Sequence, residues 1–245
     1  FQMANILITG ANRGIGLGLV KEFLKLDGVG MIIATARKPD EAKELKSITD
    51  PRVKIIQLTV DDDSSIKRAV AEVEQLVGDQ GLNILVNNSG ILKPMDPKNP
   101  SRELLHDIFN VNVVSIAMLN AAMLPVLRKA VAKKGHAQIA NISSFLGSCT
   151  GCTGNIHNFN TVAYSTSKAG LNRYTCYMAK DWADEKIRMT SLCPGWVKTD
   201  LGTQAAMFTV EECTSELSRV ILGLGPEDNG KYLDRLGKKS NFDLK

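Results

Sequence analysis

The sequence is short of several features that define whole classes of protein. Of its 245 residues only 5% are aromatic and eight are proline, and no segment is rich in Ser, Pro and Gly together. Charged residues at 23% and apolar residues at 44% exclude a disordered, collagen-like or coiled-coil chain. A chain of this length and composition is large enough to bury a sizeable core.

Neither sign of charge dominates. The 30 Lys and Arg residues against 26 Asp and Glu residues give a net charge of +4. This excess is too small to indicate a nucleic-acid surface, so we expect no nucleic-acid partner. It is compatible with a small ligand that carries phosphate.

The five cysteines lack the dense spacing of a disulfide scaffold, which favours a reducing compartment. No basic segment followed by an apolar run opens the chain, so we expect no signal peptide, Met3 as the natural start, and residues 1–2 as a cloning remnant. The longest apolar stretch, residues 111–127, is interrupted by Asn112, Asn120 and Pro125. It predicts a buried helix rather than a membrane span, and the protein is expected to be cytoplasmic.

Apolar runs and stretches with helical spacing alternate along the chain. The runs predict strands at residues 5–8, 31–34, 53–60, 82–86, 137–142, 187–193 and 231–234. The stretches predict helices at residues 15–26, 41–48, 64–77, 103–134 (with a break near 110–112), 163–185 and 210–224. Strands buried on both faces and joined by helices form a parallel sheet. We therefore predict one doubly wound, Rossmann-type α/β domain over residues 3–245, with a mostly parallel seven-stranded sheet flanked by helices.

A glycine-rich turn, Thr9–Gly16, joins the first predicted strand to the first helix. Gly10 allows a tight turn, Gly14 lets backbone amides approach a pyrophosphate, and Gly16 lets the helix pack close to the strand. The spacing differs from G-x-G-x-x-G, so the turn alone does not identify a dinucleotide site.

Two arginines indicate which dinucleotide would bind. Arg13 lies inside the turn, and Arg37 follows the second strand, where a site for NAD usually has an acidic residue. No acidic residue occurs there before Asp40. Because Arg binds phosphate through charge-assisted hydrogen bonds, we predict NADP(H) as the cofactor.

Tyr164 and Lys168 are four residues apart at the start of a predicted helix, so they share one helical face. A nearby ammonium group lowers the pKa of a phenol, which would make Tyr164 a usable general acid or base. Ser143 and Ser144 end the fifth predicted strand, where a hydroxyl can hold a developing oxyanion. Asn112 lies at the predicted helix break.

In chain order these motifs resemble the short-chain dehydrogenase/reductase family. The matching segments are residues 9–16, Asn87-Asn88-Ser89-Gly90, Asn112, Ser144, Tyr164-x-x-x-Lys168 and residues 194–200. They cover essentially the whole chain. Residues 6–24, 80–91 and 194–200 are similar, more narrowly, to sniffer-type carbonyl reductases.

The resemblance implies a catalytic set of Ser144, Tyr164, Lys168 and Asn112. Tyr164 would exchange a proton with the substrate oxygen, and Ser144, rather than Ser143, would polarise the carbonyl. Lys168 would bind the nicotinamide ribose and lower the pKa of Tyr164. Asn112 would hold a water of a proton relay behind Lys168.

The resemblance also implies the cofactor-binding residues. Asn88 and Gly90 would line the adenine-side ribose and the central sheet, and Val197 and Thr199 would meet the nicotinamide carboxamide and a phosphate. The full set is Gly10, Asn12, Arg13, Gly14, Ile15, Gly16, Arg37, Val60, Asn88, Gly90, Tyr164, Lys168, Pro194, Gly195, Val197 and Thr199.

Three segments depart from the family pattern. Thr59 stands where the family commonly has an acidic residue that meets the adenine amine, and Ser89 replaces the usual Ala. The long segment between Ser144 and Tyr164 predicts a loop over the substrate pocket, roughly Ser148–Asn160. Its cysteines, Cys149 and Cys152, are interpreted as an incidental pair of thiols or, as the lesser alternative, a redox-responsive pair. We expect no metal.

These observations predict an enzyme that transfers a hydride from NADPH to a ketone or aldehyde, with Tyr164 as general acid. The alternatives are an alcohol dehydrogenase that runs in the oxidative direction and an NADP(H)-binding sensor without turnover. We expect a small, largely apolar carbonyl substrate, with Phe145, Leu146, Trp196 and Met207 as candidate pocket walls. The long predicted helices fit a homodimer or homotetramer, or else burial within one chain.

Overall fold

A seven-stranded sheet forms the centre of the computed structural model, which describes residues 3–149 and 160–239. The strands lie in the order β3-β2-β1-β4-β5-β6-β7, and every neighbouring pair is parallel. They are β1 (Ala4–Ile8), β2 (Val29–Ala36), β3 (Val53–Gln57), β4 (Ile84–Asn87), β5 (Ala137–Ile142), β6 (Ile187–Cys193) and β7 (Tyr232–Asp234). The predicted Rossmann-type fold is confirmed.

Helices cover both faces of this sheet. They are α1 (Gly14–Phe23), α2 (Lys43–Lys46), α3 (Asp63–Val77), α4 (Arg102–Phe109), α5 (Ser115–Lys134), α6 (Val162–Asp181) and α7 (Val210–Gly223). α1 and α7 share one core layer, and α3, α5 and part of α6 share the other. In β1, Ile6 and Ile8 face the first layer and Leu7 faces the second. Such two-sided burial explains the unbroken apolar runs of the strands.

The α-helix is interrupted near residues 110–112, as predicted, but the chain does not leave the helix there. One π-helical turn, Asn110–Val114, joins α4 to α5, and the helix continues through it. The hydroxyl of Ser115 donates to the carbonyl of Asn110 at 2.8 Å, which satisfies a backbone acceptor within the widened turn. Asn112 is completely buried by this geometry.

The continuous helix of residues 102–134 is long and apolar enough to cross a membrane by length and composition. Its most apolar 18-residue window has a mean hydropathy of 1.6, and 44% of that window is buried in the fold. Core helices of globular proteins meet the same criteria. Here Leu119 and Met123 of α5 are buried in the second core layer.

A row of polar side chains crosses the middle of the sheet. Asn87 of β4, Asn141 of β5 and Ser191 of β6 are paired in register. The Asn87 amide donates to the Asn141 side-chain oxygen at 2.8 Å. Asn141 and Ser191 both donate to the hydroxyl of Thr175 on α6, each at 2.9 Å. The row therefore ties three strands to the helix that begins at Val162.

The order of the strands reverses direction between β1 and β4, because the chain builds outward from β1 first on one side and then on the other. In open parallel sheets, ligands bind at such a point, outside the carboxyl ends of the strands. The turn after β1 and the polar residues after β4, β5 and β6 all lie at this edge.

Candidate active site

A single cleft of about 1140 Å³ opens along this edge and brings most of the predicted site residues together. Its volume is large enough for a dinucleotide and a small substrate. Of the predicted residues it is lined by Gly10, Asn12, Arg13, Gly14, Ile15, Arg37, Val60, Asn88, Gly90, Ser144, Tyr164, Lys168, Pro194, Gly195, Val197 and Thr199. The two others, Gly16 and Asn112, lie behind the lining.

The glycine turn is built by close approaches that exclude side chains. Gly10 has a φ of +64°, and a β-carbon there would lie 2.8 Å from the hydroxyl of Ser89. A β-carbon at Gly16 would clash with the carbonyl oxygen of Gly10 and the Asn88 side chain. Gly16 therefore lets the start of α1 pack against the turn after β1 and against Asn88. The N–H groups of the first turn of α1 face the cleft, where a pyrophosphate would bind.

Asn88 fastens the end of β4 to this turn. Its side-chain amide donates to the carbonyls of Thr9 and Gly10 at 2.9 and 3.2 Å. The hydroxyl of Thr9 accepts from the backbone N–H groups of Asn88 and Ser89 at 3.0 and 2.9 Å. Asn88 thus shapes the cofactor end of the cleft as well as lining it.

Arg13 and Arg37 both reach the cleft. Arg37 is exposed at the carboxyl end of β2. The Nη1 of Arg13 is paired with Asp200 at 2.6 Å, and both side chains are exposed to water. The sequence predicted the position of Arg13, but its partner lies 187 residues away and was not foreseen.

The segment after β3 also reaches the cleft, as predicted for Val60. Val60 and Asp61 line the cleft, and Thr59 does not. The backbone N–H of Thr59 donates to the Ser65 hydroxyl at 2.9 Å, at the start of α3. The carboxylate of Asp61, rather than the hydroxyl of Thr59, is the polar side chain at this place.

Ser144 and Tyr164 meet at the opposite end of the cleft. Both are buried, and the Ser144 hydroxyl lies close enough to the Tyr164 phenol to lower its pKa. The Ser144 hydroxyl also accepts from the backbone N–H of Leu146 at 3.2 Å. The Ser143 hydroxyl instead donates to the Asn172 side chain at 2.6 Å. Of the two serines, only Ser144 lies beside Tyr164.

Burial controls the protonation of this pair and of Lys168. It raises the pKa of Tyr164 to about 12, and the neighbouring Ser144 hydroxyl offsets part of that rise. Burial also lowers the pKa of Lys168 to about 8. Cys193, which the sequence did not single out, lies close enough to raise both pKa values.

The pKa of Tyr164 therefore moves in the direction opposite to the prediction. The ammonium of Lys168 lies 5.7 Å from the centre of the Tyr164 ring and donates to the Ile142 carbonyl at 2.8 Å. At this distance it does not outweigh the loss of solvation. The phenol therefore stays protonated near neutral pH, and burial makes it a weaker acid than an exposed tyrosine.

Asn112 lies behind Gly90 together with Lys168. A β-carbon at Gly90 would lie 3.2 Å from the Asn112 side-chain oxygen and 3.6 Å from the Lys168 nitrogen. The Asn112 side chain exchanges two hydrogen bonds with the backbone of Ile91, each at 2.9 Å, and donates to Ser167 at 3.0 Å. These bonds fix the loop after β4 against α6.

A turn after β6, Pro194–Val197, forms the third wall of the cleft. Gly195 has a φ of +81°, a conformation that favours glycine. Thr199 follows the turn and faces the glycine turn, since a β-carbon at Gly14 would lie 3.3 Å from its methyl group.

Three of the four predicted pocket walls, Phe145, Leu146 and Trp196, line the cleft. The prediction is wrong for Met207, which does not line the cleft and is 71% exposed to solvent. Cys149 is exposed, whereas Cys152 and most of the predicted loop lie outside the described residues. Within the described ranges, no group of three or more metal-binding side chains occurs.

The chain matches the family model described as short chain dehydrogenase over residues 4–208. It therefore belongs to the short-chain dehydrogenase/reductase family, an oxidoreductase family, as its motifs predicted.

Individual relatives resemble the chain over nearly its full length. Carbonyl reductase Sniffer of D. melanogaster has 36% sequence identity and a TM-score of 0.91, covering 97% of this chain and 99% of its own. An NADPH-bound carbonyl reductase from chicken fatty liver has 33% identity and a TM-score of 0.91, covering 98% and 99%. The 3-oxoacyl-[acyl-carrier-protein] reductase FabG of Haemophilus influenzae is 31% identical over 217 residues, which are 89% of this chain and 82% of FabG.

Proposed function

We propose that this protein is an NADPH-dependent carbonyl reductase, which reduces a ketone or aldehyde to an alcohol. The observation that carries the proposal is the meeting of three buried side chains, Ser144, Tyr164 and Lys168, in the lining of one cleft. A phenol held in its protonated form suits the reductive direction, in which a proton is donated. Two relatives named carbonyl reductases support the same reading.

NADPH, when bound, would supply the hydride for the substrate carbon. Tyr164 donates its phenolic proton to the substrate oxygen. Ser144 donates its hydroxyl proton to that oxygen as negative charge develops, while the Leu146 N–H holds the Ser144 oxygen in place. Lys168 uses one of its N–H groups on the Ile142 carbonyl and keeps two for ribose hydroxyls.

The remaining lining residues supply the cofactor site of this proposal. The glycine turn and the start of α1 bind the pyrophosphate, and Asn88 and Gly90 lie beside the adenine-side ribose. Arg37 and Arg13 bind the 2′-phosphate that distinguishes NADPH from NADH. Val197 and Thr199 contact the nicotinamide carboxamide and the nearby phosphate.

The substrate side of the cleft is apolar. Its walls include Ile91, Leu92, Phe145, Leu146 and Trp196. Such a surface favours a small, uncharged carbonyl compound over an anionic one. Quinones, aromatic aldehydes and lipid-derived aldehydes have this character.

The same proposal assigns residues 3–245 to one dinucleotide-binding and catalytic domain in the cytoplasm. Assembly as a homodimer or homotetramer is supported by apolar side chains left exposed on the long helices. Val114, just before α5, is 48% exposed, and Met118 of α5 is 47% exposed. Tyr177 of α6 is 65% exposed.

The test follows NADPH absorbance with a panel of those three carbonyl classes. We expect wild type to reduce members of the panel and Tyr164→Phe to lose about 10²- to 10⁴-fold in kcat while still binding NADPH. Tyr174→Phe is the matched control, because Tyr174 is also a partly buried tyrosine of α6 but lies outside the cleft. If wild type and Tyr164→Phe bind NADPH and are equally inert, the protein is a sensor rather than an enzyme.

A further inference from the structure

The turn at Pro194–Val197 is supported from outside the cleft by a stack of three side chains. The ring of Phe208 lies directly against Gly195, since a β-carbon there would be 3.1 Å from two of its ring carbons. The guanidinium of Arg235 lies 3.8 Å from the centre of the same ring. The Nε of Arg235 in turn lies 2.6 Å from a carboxylate oxygen of Glu216 on α7, an ion pair without hydrogen-bond alignment at these two atoms.

Phe208 also closes the loop that follows the turn. Its backbone N–H donates to the carbonyl of Trp196 at 3.0 Å, and its carbonyl accepts from Lys198 at 2.8 Å. The ring and the backbone of one residue therefore hold both the turn and the end of the loop. α7 adds a second support, because the thiol of Cys213 donates to the Pro194 carbonyl at 3.3 Å.

The surroundings of the stack strengthen these contacts. The side chains of Arg235 and Glu216 are only 21% and 35% exposed, so water screens their attraction less than that of the open ion pairs of the surface. A guanidinium stacked on an aromatic face gains further cation–π attraction. None of Phe208, Arg235 and Glu216 lines the cleft.

We propose that Phe208, Arg235 and Glu216 are positioning residues for the nicotinamide end of the cleft. They act through the turn of residues 194–197 and touch neither cofactor nor substrate. The inference rests on the proposed function for its effect on turnover. Its effect on the turn itself does not depend on that function, because the stack exists in the protein alone.

The experiment compares Arg235→Gln with Arg128→Gln. Arg128 is the matched control, because its Nε pairs with Glu185 at the same 2.6 Å but at the opposite end of the sheet, far from the cleft. Hydrogen exchange measured by mass spectrometry, without cofactor, reports on the amides of residues 195–209. NADPH affinity and kcat are then measured on the same proteins.

We expect Arg235→Gln to speed exchange in residues 195–209 and to lower kcat or NADPH affinity about tenfold, since small displacements of a site are costly. Arg128→Gln should leave both unchanged. Glu216→Gln, which keeps the guanidinium on the ring, should give a smaller change in the same direction and serves if Arg235→Gln fails to fold.

Equal exchange and equal NADPH affinity in the Arg235, Glu216 and Arg128 variants would overturn the proposal. The failure of the proposed function is distinguishable from this result. A wild type that reduces no carbonyl refutes the reductase, yet faster exchange in Arg235→Gln would still support the role of the stack in holding the turn.

Discussion

The two ends of the cleft place their charged and ionisable groups in opposite surroundings. At the glycine turn, the side chains of Arg13 and Asp200 are 66% and 75% exposed. At the other end, Tyr164 and Lys168 are 7% and 3% exposed. Water screens the charges of Arg13 and Asp200, so we expect a change to either side chain to alter the binding energy of a ligand only slightly. Burial at the second end sets the protonation state itself. If the proposed function holds, the exposed end of the cleft selects the cofactor and the buried end controls proton transfer.

Lys168→Met tests the buried end and has the largest effect on stability. The folded pKa of Lys168, about 8, lies below its ordinary 10.5, so the unfolded chain binds more protons between these values. Wild-type stability therefore gains about 2 kcal/mol from Lys168 as the pH rises from about 8 to 10, roughly thirtyfold in the folding equilibrium. The variant should lack this gain. Urea unfolding of both proteins across this range measures it, and parallel curves would contradict the burial argument.

Arg37→Asp tests the exposed end. If Arg37 binds the 2′-phosphate, the variant should lose about tenfold more affinity for NADPH than for NADH, because a charge-assisted contact is replaced by repulsion. Arg219→Asp makes the same change of charge on an exposed position of α7 and should keep the wild-type ratio. Fluorescence titration with both cofactors gives the ratio. An unchanged ratio in Arg37→Asp removes the argument for NADPH.

Asp200→Asn should give the smallest of the three effects, a change in NADPH affinity at the exposed end of the cleft. The exposed ion pair with Arg13 is worth at most about 1 kcal/mol. Freeing Arg13 for a phosphate should raise NADPH affinity about threefold or less at low salt, and the gain should disappear at high salt. Titrations at two salt concentrations test this. Weaker NADPH binding in the variant would mean that Asp200 orients Arg13 rather than competing for it.

Much of the fold and the reactive group could be predicted because both depend on local patterns. The apolar runs place all seven strands, with β5 and β6 at their observed bounds. The four-residue spacing of Tyr164 and Lys168 and the position of Ser144 after β5 are enough to bring them into one cleft. Their roles in catalysis remain predictions.

The features that the sequence did not predict depend on burial and on contacts between distant parts of the chain. The direction of the Tyr164 pKa follows from burial, which spacing does not reveal. Met207 is apolar but lies outside the lining, and Asp61, which belongs to no recognised motif, lines the cleft. The stack on Gly195 joins Phe208, Glu216 and Arg235 from a loop, a helix and the end of β7, at spacings that form no motif.

The polar row of Asn87, Asn141 and Ser191 also fixes the alignment of β5 with α6, and with it the positions of Ser144 and Tyr164. Asn141 of β5 lies three residues before Ser144. Thr175, which accepts hydrogen bonds from the row, lies on the same helix as Tyr164. A slip of either element by one residue would leave several buried amides and hydroxyls without partners. Misaligned chains are therefore penalised during folding. Hydrogen bonds in the sheet interior therefore fix the positions of Ser144 and Tyr164 relative to each other before any ligand binds.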